Sequence, residues 1–204
     1  VPGNRLGEIL GNALALFRGN AQHQGGGPNC PGGGLEELYG LAHVVVRRGR
    51  VIIKTAKVVA GLGVAFGDIG THAANLVEFI TGERIASICA ELTMLPGRHI
   101  DDDGSALFRL SGGGKGTLVA SQVLVGDAND LAISVYCDEA GLHWRQEQPN
   151  SMTIGRRDKP TEIWNAGANR AYLAPDVRAV QRTPGGHPEG YLEAFANIYR
   201  AFGE

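Results

Sequence analysis

From residue 67 onward the chain shows two distinct hydrophobic periods. After Asp68, the apolar residues Ala73, Leu76, Val77 and Ile80 recur at helical spacing. This predicts a helix capped by Asp68 that runs to about Thr81 and ends at Gly82. Strand formers dominate next, over Ile85–Leu95, Ser105–Leu110, Gly116–Val125, Leu131–Cys137 and Gly141–Gln146, with Met152–Ile154 and Thr161–Trp164 as short edges. The connections are too short for parallel crossovers, so neighbouring strands should be antiparallel. In the closing segment Pro188–Phe202, Pro188 suits a first helical turn. Tyr191, Phe195, Ile198, Tyr199 and Phe202 fall on one stripe, which should lie on the sheet. These elements predict an α+β fold, with an open, mainly antiparallel sheet and helices on one face.

Residues 1–66 have another character. Gly25–Gly34 is a run of Gly and Pro that opposes both helix and strand, and it is expected to be a flexible connection. Ile9–Phe17 suits a short helix. Val44–Val46 and Val51–Ile53 flank Arg47, Arg48, Gly49 and Arg50, as in a hairpin with a basic turn. That turn is either a solvated loop or an anion or nucleic-acid contact. The expected organisation is an atypical, Gly-rich, partly disordered segment over 1–66, followed by a substrate-binding and oligomerisation domain over 67–204.

Composition narrows the function. A net charge of -2 gives no electrostatic reason to expect nucleic acid. No apolar run reaches spanning length and no secretory signal is visible, so neither a membrane nor export is expected and the compartment should be cytoplasmic. Cys30, Cys89 and Cys137 are odd in number and widely spaced, against a disulfide framework. The histidines lack metal-ligand spacing, so no metal is expected.

The candidate chemistry starts at Asp68 and His72. Four residues apart on a helix, they share a face. A carboxylate beside an imidazole can orient it and favour its charged form, opposing the helix dipole, so His72 would suit proton transfer with an alcohol. On spacing alone, a plain cap with a satisfied histidine ranks ahead of this reading. Asp101–Asp103 reads as a solvated turn before calcium. Gly112–Gly116 reads as a hairpin turn before a phosphate cradle. Trp144 and Trp164 read as core or sheet-face residues before sugar-stacking platforms. Asn169 has no assigned role.

The run GDIGTHAANLVEFITG, from Gly67 to Gly82, resembles the helix signature of the glucose-fructose oxidoreductase, inositol dehydrogenase and rhizopine-catabolism (Gfo/Idh/MocA) family. His187–Phe195 with Ala196, Asn197 and Tyr199 is similar to that family's closing helix. Asp101–Gln122 resembles its central hairpin, and Leu6–Ile9 its link from the nucleotide-binding half. The likeness covers roughly two thirds of the chain, in the family's order. It implies a dihydrodipicolinate reductase-like C-terminal domain of a two-domain enzyme that uses NAD or NADP to oxidise a secondary alcohol of a sugar or cyclitol. By that resemblance, His72 is the acid/base. Asp68 binds a substrate hydroxyl and orients the imidazole, the pair faces a cavity floored by the sheet, and His187 is a further substrate contact. Asn75 stands where the family often has Asp.

The resemblance also sets out what departs from it. Neither the family's G-x-G-x-x-G Rossmann fingerprint nor its Glu-Lys-Pro is present, so the Rossmann domain that holds most of the cofactor is expected to be missing. A truncated or frame-disturbed gene product, inactive alone, follows as an expectation. A sheet-mediated homo-oligomer or a non-catalytic polyol-binding module is the alternative.

Overall fold

The computed structural model describes residues 50–56 and 65–203. The expected helix at Ile9–Phe17, the Gly25–Gly34 connection, the Leu6–Ile9 link and Val44–Val46 lie outside the described residues. The chain divides into two compact units, with described residues 50–164 in one and 165–203 in the other.

The first unit contains strand β1 (Arg50–Ala56), a π-helical turn (Ala65–Gly70) and helix α1 (Thr71–Thr81). Seven further strands follow: β2 (Ile85–Thr93), β3 (Asp103–Leu110), β4 (Lys115–Ser121), β5 (Ala132–Tyr136), β6 (Ala140–Arg145), β7 (Ser151–Arg156) and β8 (Glu162–Asn165). They form one sheet in the order β2-β3-β4-β1-β5-β6-β7-β8. Every strand from β2 to β8 overlaps a segment that the alternation pattern predicted. The architecture is the α+β fold with an open, mainly antiparallel sheet that the pattern implied.

The parallel pairing of β1 with β4 corrects the expected hairpin around Arg47–Arg50. Val51–Ile53 belongs to β1, which lies inside the sheet, parallel to β4 and antiparallel to β5. Val51 and Ile53 are fully buried, so a strand from the segment before residue 67 supplies part of the core. A parallel neighbour requires a long return path, and the chain between β1 and β4 provides it by way of α1, β2 and β3.

Alternation sets the two faces. Val51 and Ile53 on β1, Ala106, Phe108 and Leu110 on β3, and Leu118 and Ala120 on β4 point to the covered face. Helix α1 packs there through Ala73, Leu76, Val77 and Ile80, the four residues the helical period selected. Gly82 ends the helix in the left-handed conformation, as expected of a C-terminal glycine. Gly116 has no side chain because the Phe108 ring lies over it, 1.9 Å from where a Cβ would stand.

Asp101–Asp103 is not the solvated turn its composition suggested. Asp102 is completely buried. Its Oδ2 accepts the Leu95 N–H at 2.9 Å, its N–H donates to Thr93 O, and its carbonyl accepts from Gln122 N–H. Arg98 Nη1 lies 2.8 Å from Asp102 Oδ1, within ion-pair distance though without an aligned hydrogen bond. Asp101 O accepts the Ala65 N–H at 2.9 Å and Asp101 Oδ2 the Phe66 N–H at 2.7 Å. This acidic corner therefore ties the β2–β3 connection to the end of β4 and to the start of the helical segment.

The second unit contains helices α2 (Pro175–Ala179) and α3 (Tyr191–Gly203). Helix α3 starts three residues after Pro188, so Pro188 is outside its first turn. Its expected apolar stripe leaves Tyr191, Tyr199 and Phe202 exposed. Glu189, almost fully buried, accepts the N–H groups of Arg182 and Thr183 and fixes the approach to the helix.

Removing the buried carboxylate strands the Leu95 N–H and the Arg98 guanidinium together. Asp102→Ala is expected to lower unfolding free energy by about 3 kcal/mol. Asp102→Asn, which keeps an acceptor for Leu95, should cost less, and urea denaturation measures both.

Candidate active site

The helical segment over 65–81 positions the candidate pair. It does not begin at an Asp68 cap. Asp68 lies inside the π-helical turn, and the residue before α1 is Gly70, with no side-chain cap. Asp101 takes over the capping role from a distance by accepting the Phe66 N–H. The Phe66 ring seats against Gly104, where a Cβ would stand 2.5 Å from it. The Thr71 hydroxyl donates to Asp68 O at 2.6 Å across the junction between the π turn and α1. Such turns are rare and are frequent at functional sites.

With Ile69, Ala73, Leu76 and Val77 buried beneath it, the segment exposes Gly67, Asp68, Thr71 and His72 on its outer side. The carboxylate and the imidazole are thus open to a ligand arriving from outside. The expected sheet-floored cavity is elsewhere: a hollow of about 470 Å³ lined by Ser87, Leu107, Arg109, Lys115 and Arg50. By strand register those side chains belong to the open face, opposite α1.

The remaining candidates have mostly local roles. His187 is exposed in the second unit, where its N–H donates to Pro184 O and its carbonyl accepts from the Thr183 hydroxyl. Asn75 is half-buried on α1. Trp144 is a core residue whose indole N–H donates to Pro149 O, and the indole of Trp164 donates to Glu162. Asn169 Oδ1 accepts the Gly185 N–H. Among the described residues no group of His, Cys, Asp and Glu has metal-binding geometry, and no helix is long and apolar enough to cross a membrane.

An ionic cluster that pattern reading missed joins Lys54 to Asp127 and Asp130, with Arg145 also on Asp130. These residues are far apart in sequence, so only the sheet register brings them together. Burial raises the Asp130 pKa, but hydrogen bonds from Arg145 and Lys54 outweigh it and hold the carboxyl below its ordinary value. The hydrogen bonds from Lys54 to Asp127 and Asp130 raise the lysine in turn.

Residues 53–143 match the model of the GFO/IDH/MocA C-terminal domain. These residues form a GFO/IDH/MocA C-terminal domain. It is 26% identical over 147 residues to the uncharacterized oxidoreductase YfiI of Bacillus subtilis, covering 71% of this chain and 37% of that protein. An oxidoreductase structure from Sinorhizobium meliloti is 37% identical, with a TM-score of 0.68, over 74% of this chain and 44% of that one. An inositol dehydrogenase homolog from Azotobacter vinelandii, complexed with NADH and myo-inositol, has a TM-score of 0.70 at 22% identity, over 95% and 50%. The chain spans about half or less of the length of these relatives. The last likeness concerns the fold alone.

Because Asp130 titrates below its unfolded value, its contribution to stability is present above the unfolded pKa of about 3.9 and is lost as pH falls through the folded value. Asp130→Asn should therefore lower the urea midpoint at pH 7. The difference from wild type should narrow as pH falls through the lowered folded value, below which both carry a neutral side chain at this position.

Proposed function

We propose that this domain forms the substrate side of an NAD- or NADP-dependent dehydrogenase acting on a secondary alcohol of a sugar or cyclitol. The observation that carries this reading is the outward exposure of Asp68 and His72 at the junction of the π turn and α1. The family's oxidoreductase character and the NADH and myo-inositol of the Azotobacter neighbour support it.

The residues present fit a nicotinamide cofactor in one respect. An imidazole open on the outer side of the helix can meet a substrate carbinol presented from the face opposite the domain. A bound nicotinamide would supply hydride acceptance. The work of this chain would then be positional and protonic. Asp68 would accept a hydrogen bond from one substrate hydroxyl, and its carboxylate discriminates polyols from analogues that lack the donor. His72 would take the proton of the reacting hydroxyl as the carbonyl forms. Since the sheet does not floor the pair, a second surface must close over it to exclude water and fix the reacting atoms, which a nucleotide-binding domain would do. The choice between NAD and NADP belongs to that domain.

The test compares variants of the protein assayed with its nucleotide-binding domain and a panel of polyols. His72→Ala should lower kcat/KM by roughly 10²–10⁴-fold with little change in polyol affinity. Asp68→Ala should weaken polyol binding itself. Polyol binding that neither substitution alters would contradict the assignment.

A further inference from the structure

Strand β2 is one margin of the sheet, and among the described residues nothing pairs with its outer edge. It is nine residues long, and every residue from Ala86 to Thr93 is exposed. At the spacing of extended chain that edge runs for about 30 Å. Unpaired N–H and C=O groups along an edge invite another strand, so proteins blunt long edges with lysine, proline or shortening. The opposite margin is blunted in this way. Strand β8 has four residues, follows Asp158, Lys159 and Pro160, and pairs its Glu162 with Arg156. Strand β2 has one charged residue, Glu91, and no proline or lysine. A register shift between Ile85 and Ser87 makes only its first residues irregular.

The ladder fixes which main-chain groups point outward. The Leu110 N–H donates to Gly114 O, so the even-numbered residues of β3 bond to β4 and its odd-numbered residues bond to β2. Ser87, Cys89 and Glu91 are in register with Arg109, Leu107 and Ser105 and turn their main chain inward. Ile88, Ala90 and Leu92 therefore present N–H and C=O groups to the outside. Their side chains are on the helix-bearing face, where Ile88 and Leu92 are left 55% and 52% exposed. Met94 and Ile100, in the connection that follows, are exposed as well.

We propose that this edge is an interface with a second copy of the chain, the two β2 strands pairing antiparallel about a two-fold axis at Cys89. Ile88 then exchanges main-chain hydrogen bonds with the partner's Ala90. Each large apolar side chain meets a small one, Ile88 beside the partner's Ala90 and Leu92 beside the partner's Ala86. On the other face Glu91 meets the hydroxyl of the partner's Ser87, so no like charges oppose one another, and the two Cys89 residues form a non-hydrogen-bonded pair. An axis at Ile88 or at Ala90 would set Glu91 against Ile85 or Cys89, with no hydroxyl donor for the carboxylate. Because each edge satisfies the other, the pairing closes at two copies instead of growing. The edge is at the side of the sheet, so packing on either face is independent of it. The inference does not rest on the dehydrogenase reading.

Light scattering of the full chain over a concentration series, with hydrogen exchange followed residue by residue, tests the proposal. Ala90→Pro removes an outward N–H and Ile88→Lys places a charge on the margin, and each should have half the mass of the wild type. Circular dichroism should match the wild type, since both positions are exposed. In the wild type the Ile88 and Ala90 amides should exchange about tenfold more slowly at high than at low protein concentration, while Cys89, bonded to β3, should not change. With Cys30 and Cys137 replaced by Ser, oxidation by diamide should join two chains through Cys89, because a non-hydrogen-bonded pair has the Cα separation that a disulfide needs. Wild-type mass in both variants overturns the proposal, as does exchange at Ile88 and Ala90 that is independent of concentration. Failure of diamide to link Cys89 overturns the two-fold register.

Discussion

A fully buried carboxylate is costly unless the protein surrounds it with donors, and Asp102 is the point where this domain meets that requirement. Its oxygens and main chain take up groups from Leu95, Thr93 and Gln122, and the neighbouring Asp101 takes up the N–H groups of Ala65 and Phe66. One acidic corner thus joins the open edge of the sheet, the end of β4 and the first turn of the segment that carries Asp68 and His72. The helical segment is held at its base by hydrogen bonds and along its length by Ile69, Ala73, Leu76, Val77 and Ile80. Its outer side, with Asp68 and His72, is exposed.

The same division runs through the sheet. One face is consumed by packing, with Phe108 over Gly116 and Phe66 over Gly104, positions where any side chain would collide. The other face is open and carries charge in two groups. At one end, Lys54, Asp127, Asp130 and Arg145 neutralise one another. At the other, Arg109, Lys115 and Arg50 have no such partners among the described residues.

Much of this was legible in the sequence because it depends on local period. The strands β2 to β8 follow alternation and turn residues, and the buried face of α1 follows helical spacing. The family likeness singled out Asp68 and His72 from the run Gly67–Gly82. What local period does not encode is long-range pairing. Strand β1 has ordinary strand composition, but its place between β4 and β5 depends on a crossover through α1, β2 and β3. Asp102 looked solvated because three acids beside a glycine usually are, and its burial follows from the N–H groups of Leu95 and Gln122, which it accepts, and the carbonyl of Thr93, to which it donates. The π-helical turn displaced Asp68 from the cap position. Its signal was the Gly67 and Gly70 pair around that residue. The cation row was half visible as the basic stretch before Val51, but only register shows that Arg50 meets Lys115 and Arg109.

The central claim is that a polyol engages the outer side of the helical segment at Asp68 and His72. The most direct measurement is the imidazole resonances of His72, assigned by its loss in His72→Ala, followed by NMR during titration with myo-inositol. The account predicts a saturable shift at His72 that is lost in Asp68→Asn, while His143, on the opposite face of the sheet, stays unchanged. A titration that moves His143 and leaves His72 still would contradict it.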